Sequence, residues 1–143
     1  MNINKMNEAP NRATIIKDKY HIVTFAETGF AMLNIYAEYF GIDRDTIEAF
    51  SEQVNQKDES GSLHPKAPIS VVPRRYIRDL HDETKLESQL NEFLKVNQST
   101  IKAKKILFDF RAGVDKFVVT ACESAVNSKF AKEVDEVIII NKN

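Results

Sequence analysis

Three short apolar runs in this sequence each hand over to a polar cluster. HIVTF, residues 21–25, leads into Glu27, Thr28 and Gly29. ISVV, residues 69–72, leads through Pro73 into Arg74 and Arg75. KILF, residues 105–108, leads into Asp109, Arg111 and Gly113. A glycine beside a helix amino terminus leaves backbone N–H groups free, and the helix dipole there favours an anion. Arginine adds a planar fork of donors that matches phosphate or carboxylate. On that chemistry Thr28, Gly29, Arg74, Arg75, Arg111 and Gly113 are the candidate ligand-binding residues. Glu27 and Asp109 are acceptors for a sugar or base, or an acid–base pair if a bond is broken, and so the candidate catalytic residues.

Each group also has a plainer use. Glu27 and Thr28 suit a helix cap. Asp109 and Arg111 stand two apart on a strand and can pair with each other. Arg74 and Arg75 are of the type usually left in solvent, and Gly113 can serve a tight turn. What raises the three clusters above these uses is their equivalent placement. In an open parallel sheet, ligands bind outside the carboxyl ends of the strands, so three parallel runs would bring all three clusters to one rim.

The elements that must position them follow from pattern. Residues 1–12 are polar and read as a flexible tail, and residues 13–143 as one domain. In ATIIKDKYHIVTF, two β-rich runs flank Lys17-Asp18-Lys19, which suggests a small hairpin or bent strand. A helix then runs from Thr28 to a close at Gly41, apolar nearly all round from Phe30 to Phe40. Such a helix is central to the fold or meets a second subunit. In IDRDTIEAFSEQV, Asp45 and Glu48 have capping-box spacing, and Ile47, Phe50 and Val54 make a narrow stripe. Residues 61–75 carry three of the four prolines, yet no second core follows that would make them a linker. Leu86, Leu90, Phe93 and Leu94 predict one helix, and Val114, Phe117, Val118, Ala121 and Ala125 another. KKILFDF and EVIII, on either side of the second, read as buried strands and complete a strand–helix–strand unit whose default is parallel. The fold class is α/β: a mixed, mostly parallel sheet of about four or five strands flanked by about four helices.

The totals bound the function. With 143 residues, a formal charge of −1 and 20 basic against 21 acidic residues, the chain lacks the basic excess of a duplex-nucleic-acid binder. No apolar run reaches membrane-span length, and the amino terminus has no signal-peptide core. Cys122, the single cysteine, has no internal partner for a disulfide, which favours a cytoplasmic setting. His21, His64 and His81 show no metal-ligand spacing, so no metal and no cofactor is expected. Neither G-x-G-x-x-G nor G-x-x-x-x-G-K-[ST] occurs. The element order of the second half loosely resembles macro-type ADP-ribose binders, but the glycine-rich loops that hold the ligand in those domains are missing, and no membership follows.

Two functions of different class remain. One is a small intracellular protein that binds an anionic, nucleotide-like or phosphorylated small molecule at the sheet rim, with or without hydrolase or transferase activity. The other is a non-catalytic interaction factor (adaptor, inhibitor or immunity-type) or homo-oligomer that uses the aromatic helix, Tyr36 and Tyr39 included, as its contact face.

Overall fold

The computed structural model describes residues 2–25, 31–56, 62–72, 104–109 and 135–140. Their elements run β1 (Asn2–Met6), α1 (Arg12–Lys17), β2 (His21–Phe25), α2 (Ala31–Tyr39), α3 (Arg44–Gln56), β3 (Ser62–Leu63), β4 (Ile69–Val72), β5 (Lys105–Asp109) and β6 (Glu136–Ile140). The six strands form one sheet in the order β1-β6-β5-β2-β4-β3. All neighbours are parallel except β3, which is antiparallel to β4. The layout is α/β, as the alternation of elements predicts.

Both faces of this sheet are buried, and that is why KILF and VIII are continuous apolar runs instead of alternating ones. Successive strand residues point to opposite faces. Ile22, Ile69, Val71, Leu107, Ile138 and Ile140 therefore share one face, where they join Ile15 of α1, Tyr36 and Ala37 of α2, and Ile47 and Val54 of α3 in a single core cluster. Val23, Ser70, Ile106, Phe108, Val137 and Ile139 occupy the other face and are also buried. Ile47 and Val54 are the stripe read from sequence, and Phe50 packs partly against the same cluster.

Two helices close by the same device. After α2, Gly41 takes φ +71°; its N–H bonds to the Glu38 carbonyl at 3.2 Å and that of Ile42 to the Ala37 carbonyl at 2.8 Å. That pair of bonds is a Schellman motif, and the left-handed residue it needs is usually glycine. After α1 the same bonds run from Lys19 to Ile16 and from Tyr20 to Ile15, with Lys19 at φ +56°. The apolar contact that accompanies the motif is present too, since Ile15 and Tyr20 lie in one core cluster.

Three expectations change. The stretch around Lys17-Asp18-Lys19 is a helix end and not a hairpin, because Asn11 caps Arg12–Lys17 by accepting the Thr14 N–H at 2.9 Å. The amino-terminal stretch read as a tail holds a strand: Asn2–Met6 pairs with β6 from Asn2↔Glu136 to Met6↔Ile140. The cap of α3 is Asp43, two residues ahead of Asp45; it accepts from the Thr46 N–H at 2.8 Å and the Thr46 hydroxyl at 2.9 Å. These bonds hold the Asp43 carboxyl below its ordinary value.

Part of the proline-rich stretch belongs to the sheet. Ser62–Leu63 and Ile69–Val72 pair antiparallel around the turn that holds Pro65 and Pro68. The Pro68 carbonyl accepts the Ile22 N–H at 2.8 Å, which ties the turn to β2. β3 of this hairpin lies at the edge of the sheet, next to β4 alone.

Candidate functional site

The sheet order decides where a ligand could sit. β2 lies between β4 and β5 and is parallel to both, with Phe25 opposite Val72 and Val23 opposite Phe108. The carboxyl ends of β4, β2 and β5 therefore open on the same side. The chain leaving β2 reaches β4 on one flank, whereas the chain leaving β5 reaches β6 on the other. Connections that diverge in this way define, between β2 and β5, the topological switch point at whose crevice open α/β sheets bind ligands.

Asp109 is the last residue of β5 and thus stands at that crevice. Its carboxylate is 1% exposed, and Oδ2 accepts a hydrogen bond from the Tyr36 hydroxyl at 2.7 Å. Tyr36 comes from α2, the helix that follows β2, so the contact joins the two sides of the switch point. The Tyr36 ring is itself fixed by an edge-on contact with Tyr39, with centroids 5.9 Å apart. Tyr36 is fully buried, and Tyr39 and Phe40 pack partly against the core. These aromatic residues therefore serve the interior of their own chain. Neither Tyr36 nor its bond was legible as a site feature, because its partner lies 73 residues away.

Thr24, one residue before the end of β2, is a second group the sequence reading passed over. It is 1% exposed, and its Oγ1 is buried without a hydrogen-bond partner, as are Asn34 Oδ1 on α2 and Ser51 Oγ on α3. Of the other site residues expected from sequence, Glu27, Thr28, Gly29, Arg74, Arg75, Arg111 and Gly113 lie outside the described residues, as do His81 and Cys122.

The remaining polar groups serve structure. On the opposite sheet face His21 Nε2 lies 2.7 Å from Ser70 Oγ. Desolvation lowers the His21 pKa to about 4, so the ring is neutral near pH 7. Both residues are buried, so the pair is a satisfied core contact and not an accessible nucleophile and base. His64 is buried too. Its ring meets Phe50 edge-on at 4.9 Å, and Nδ1 accepts the Lys66 N–H at 3.1 Å. Burial, then the Lys66 charge, pushes its pKa down. At the amino ends of the strands, Tyr20 donates to Glu136 Oε1 at 2.6 Å. Lys105 lies 3.7 Å from Asp18 and 3.9 Å from Glu136. Burial and then Glu136 raise the Tyr20 pKa. That network clasps β6, β5 and the start of β2 on the side away from the crevice.

Among the described residues no group of three or more histidine, cysteine, aspartate or glutamate side chains could hold a metal ion. Nor is any described helix long and apolar enough to cross a membrane. No protein-family model matches this chain, and no curated protein matches its sequence.

Proposed function

We propose that this chain is a cytoplasmic protein that binds an anionic, nucleotide-like or phosphorylated small molecule at the carboxyl-end rim of β4, β2 and β5. The observation that carries the reading is the common direction of those three adjacent strands, with a switch point between β2 and β5. Glu27, Arg74 and Arg111 each follow a strand's last residue by two positions, a tether of about 7 Å at full stretch. Neighbouring parallel strands are about 4.8 Å apart, so groups on such tethers can converge on one small anion. Arg111 grips the anion from the β5 side, Arg74 and Arg75 from the β4 side, and the backbone at Thr28, Gly29 and Gly113 supplies N–H donors. Asp109, held by Tyr36, and Glu27 orient the uncharged part of the ligand, and they exchange protons with it if a phosphoryl or glycosyl bond is broken.

The contact-surface alternative has less to draw on. Tyr36 is buried, and Tyr39 packs partly against the core.

Thermal unfolding against inorganic phosphate, AMP, ADP, ADP-ribose and sugar phosphates tests the proposal. A ligand at a hundred times its Kd stabilises the native state by about 2.7 kcal/mol, a shift that is easily read. The expected result is stabilisation by at least one compound, abolished in Arg111→Ala and weakened less in Arg74→Ala, since β4 lies one strand further from the switch point. If no compound in the panel raises the melting temperature, the reading is wrong.

A further inference from the structure

The strands β2 and β5 stay in register to Val23↔Phe108. Carrying that register one residue further sets Thr24 beside Asp109 at the mouth of the switch point. Both share the sheet face of Ile22 and Leu107, the face on which Tyr36 lies, because strand side chains alternate.

Asp109 Oδ2 is oriented by the Tyr36 hydroxyl. Thr24 Oγ1 is buried with no partner, and an orphaned buried hydroxyl carries a cost that persists only where something offsets it. A threonine hydroxyl both donates and accepts, whereas a carboxylate accepts only. Together they match a group whose every member donates and accepts, namely neighbouring hydroxyls on a sugar. A carboxylate that takes a ribose hydroxyl is a recurring device in dinucleotide-binding sheets.

Resting on the binding function proposed above, we infer that Thr24 and Asp109 form the inner end of the site and read the vicinal hydroxyls of a pentose. Tyr36 is a positioning residue that holds the carboxylate in place. Both contacting groups are buried, so ligand entry needs local opening at the strand ends. The bound hydroxyls are then withdrawn from water, where each hydrogen bond counts for more.

The test measures affinity by calorimetry for ribose 5-phosphate and AMP, each against its 2-deoxy counterpart, in the wild type, Thr24→Val and Thr24→Ser. The wild type is expected to favour the ribose form about tenfold, the scale of one lost hydrogen bond. Thr24→Val is expected to lose that preference while its ligand-free melting temperature stays level or rises, because the orphaned hydroxyl is gone. Thr24→Ser is expected to retain the preference. A merely structural threonine would lower the melting temperature in Thr24→Val and leave the preference untouched. Equal binding of ribose and deoxyribose forms by the wild type, or an unchanged preference in Thr24→Val, overturns the sugar assignment alone. If the wild type binds neither sugar form nor inorganic phosphate, the binding function falls, and the assignment with it.

Discussion

Acid should weaken this fold through His21, and the size of the effect can be worked out. Burial lowers the ring's pKa from 6.5 to about 4, and an unfolded chain returns it to the ordinary value. Between those limits the unfolded state binds more protons than the native state, so stability rises with pH. The contribution is complete above pH 6.5 and is lost as pH falls toward about 4. At 1.36 kcal/mol for each pKa unit, the full loss is about 3 kcal/mol, of which about 2 is gone by pH 5. Against a domain stability of about 5–15 kcal/mol, that is a large share. Urea unfolding at pH 7.5 and pH 5 reads it, with His21→Gln as the non-titrating control. Each protein serves as its own reference, so a destabilised variant still reports its pH slope, and the contribution of His64 appears in both. The wild type should lose about 2 kcal/mol more than His21→Gln between the two conditions. Equal losses, or a His21 ring resonance that titrates near 6.5 in the native protein, would refute the account of a neutral buried ring.

Tyr36→Phe removes the hydroxyl that donates to Asp109 at 2.7 Å, and leaving a buried carboxyl short of a donor should cost about 1–3 kcal/mol in urea unfolding; a value within about 0.5 kcal/mol of the wild type would mean the bond does not orient Asp109. The two Schellman closures should respond with opposite signs to exchange of their left-handed residues. Gly41→Ala places a Cβ at φ +71° with nothing within 4 Å of it, so only backbone strain is added, about 1 kcal/mol. Lys19→Gly relieves the strain at φ +56° and should stabilise by roughly 0.5–1 kcal/mol after the entropy of the added glycine. Shifts of the same sign in both variants would show that the left-handed conformation is not what decides these positions.

Sequence pattern locates strands that are buried on both faces and misses those that are not. Residues 69–72 and 136–140 are strands as read, and Lys105–Asp109 is a strand within the predicted run. Each is an apolar stretch that only a covered sheet can use. NINKM has no such run; as an edge strand it is held by its pairing with β6 and by Asn4, which donates to Glu136 at 3.4 Å. Composition at 2–6 cannot express a preference that lies in the partner. The turn after α1 misled for a related reason. Lys19 occupies the position where glycine normally signals a helix end, so Ile15 and Ile16 read as strand.

The rim shows the same division between local and distant information. Each strand end is written locally, and the order β5-β2-β4 is not. That order is what ranks the candidate residues. It sets the end of β5 beside the end of β2 and moves the end of β4 one strand away from the crevice. Read as three equivalent clusters, Arg74 and Arg75 count as much as Arg111. Ranked by the strand each follows, Arg111 and the residues after Phe25 come before Arg74 and Arg75, and Asp109 ends a strand that borders the switch point. Thr24 enters for the same reason. Within HIVTF it is an ordinary β-branched residue, and only the register with β5, carried one residue past Val23↔Phe108, pairs it with Asp109. The proposed rim site therefore depends on the pairing of two strands about eighty residues apart, a separation at which local sequence preference carries no information about contact.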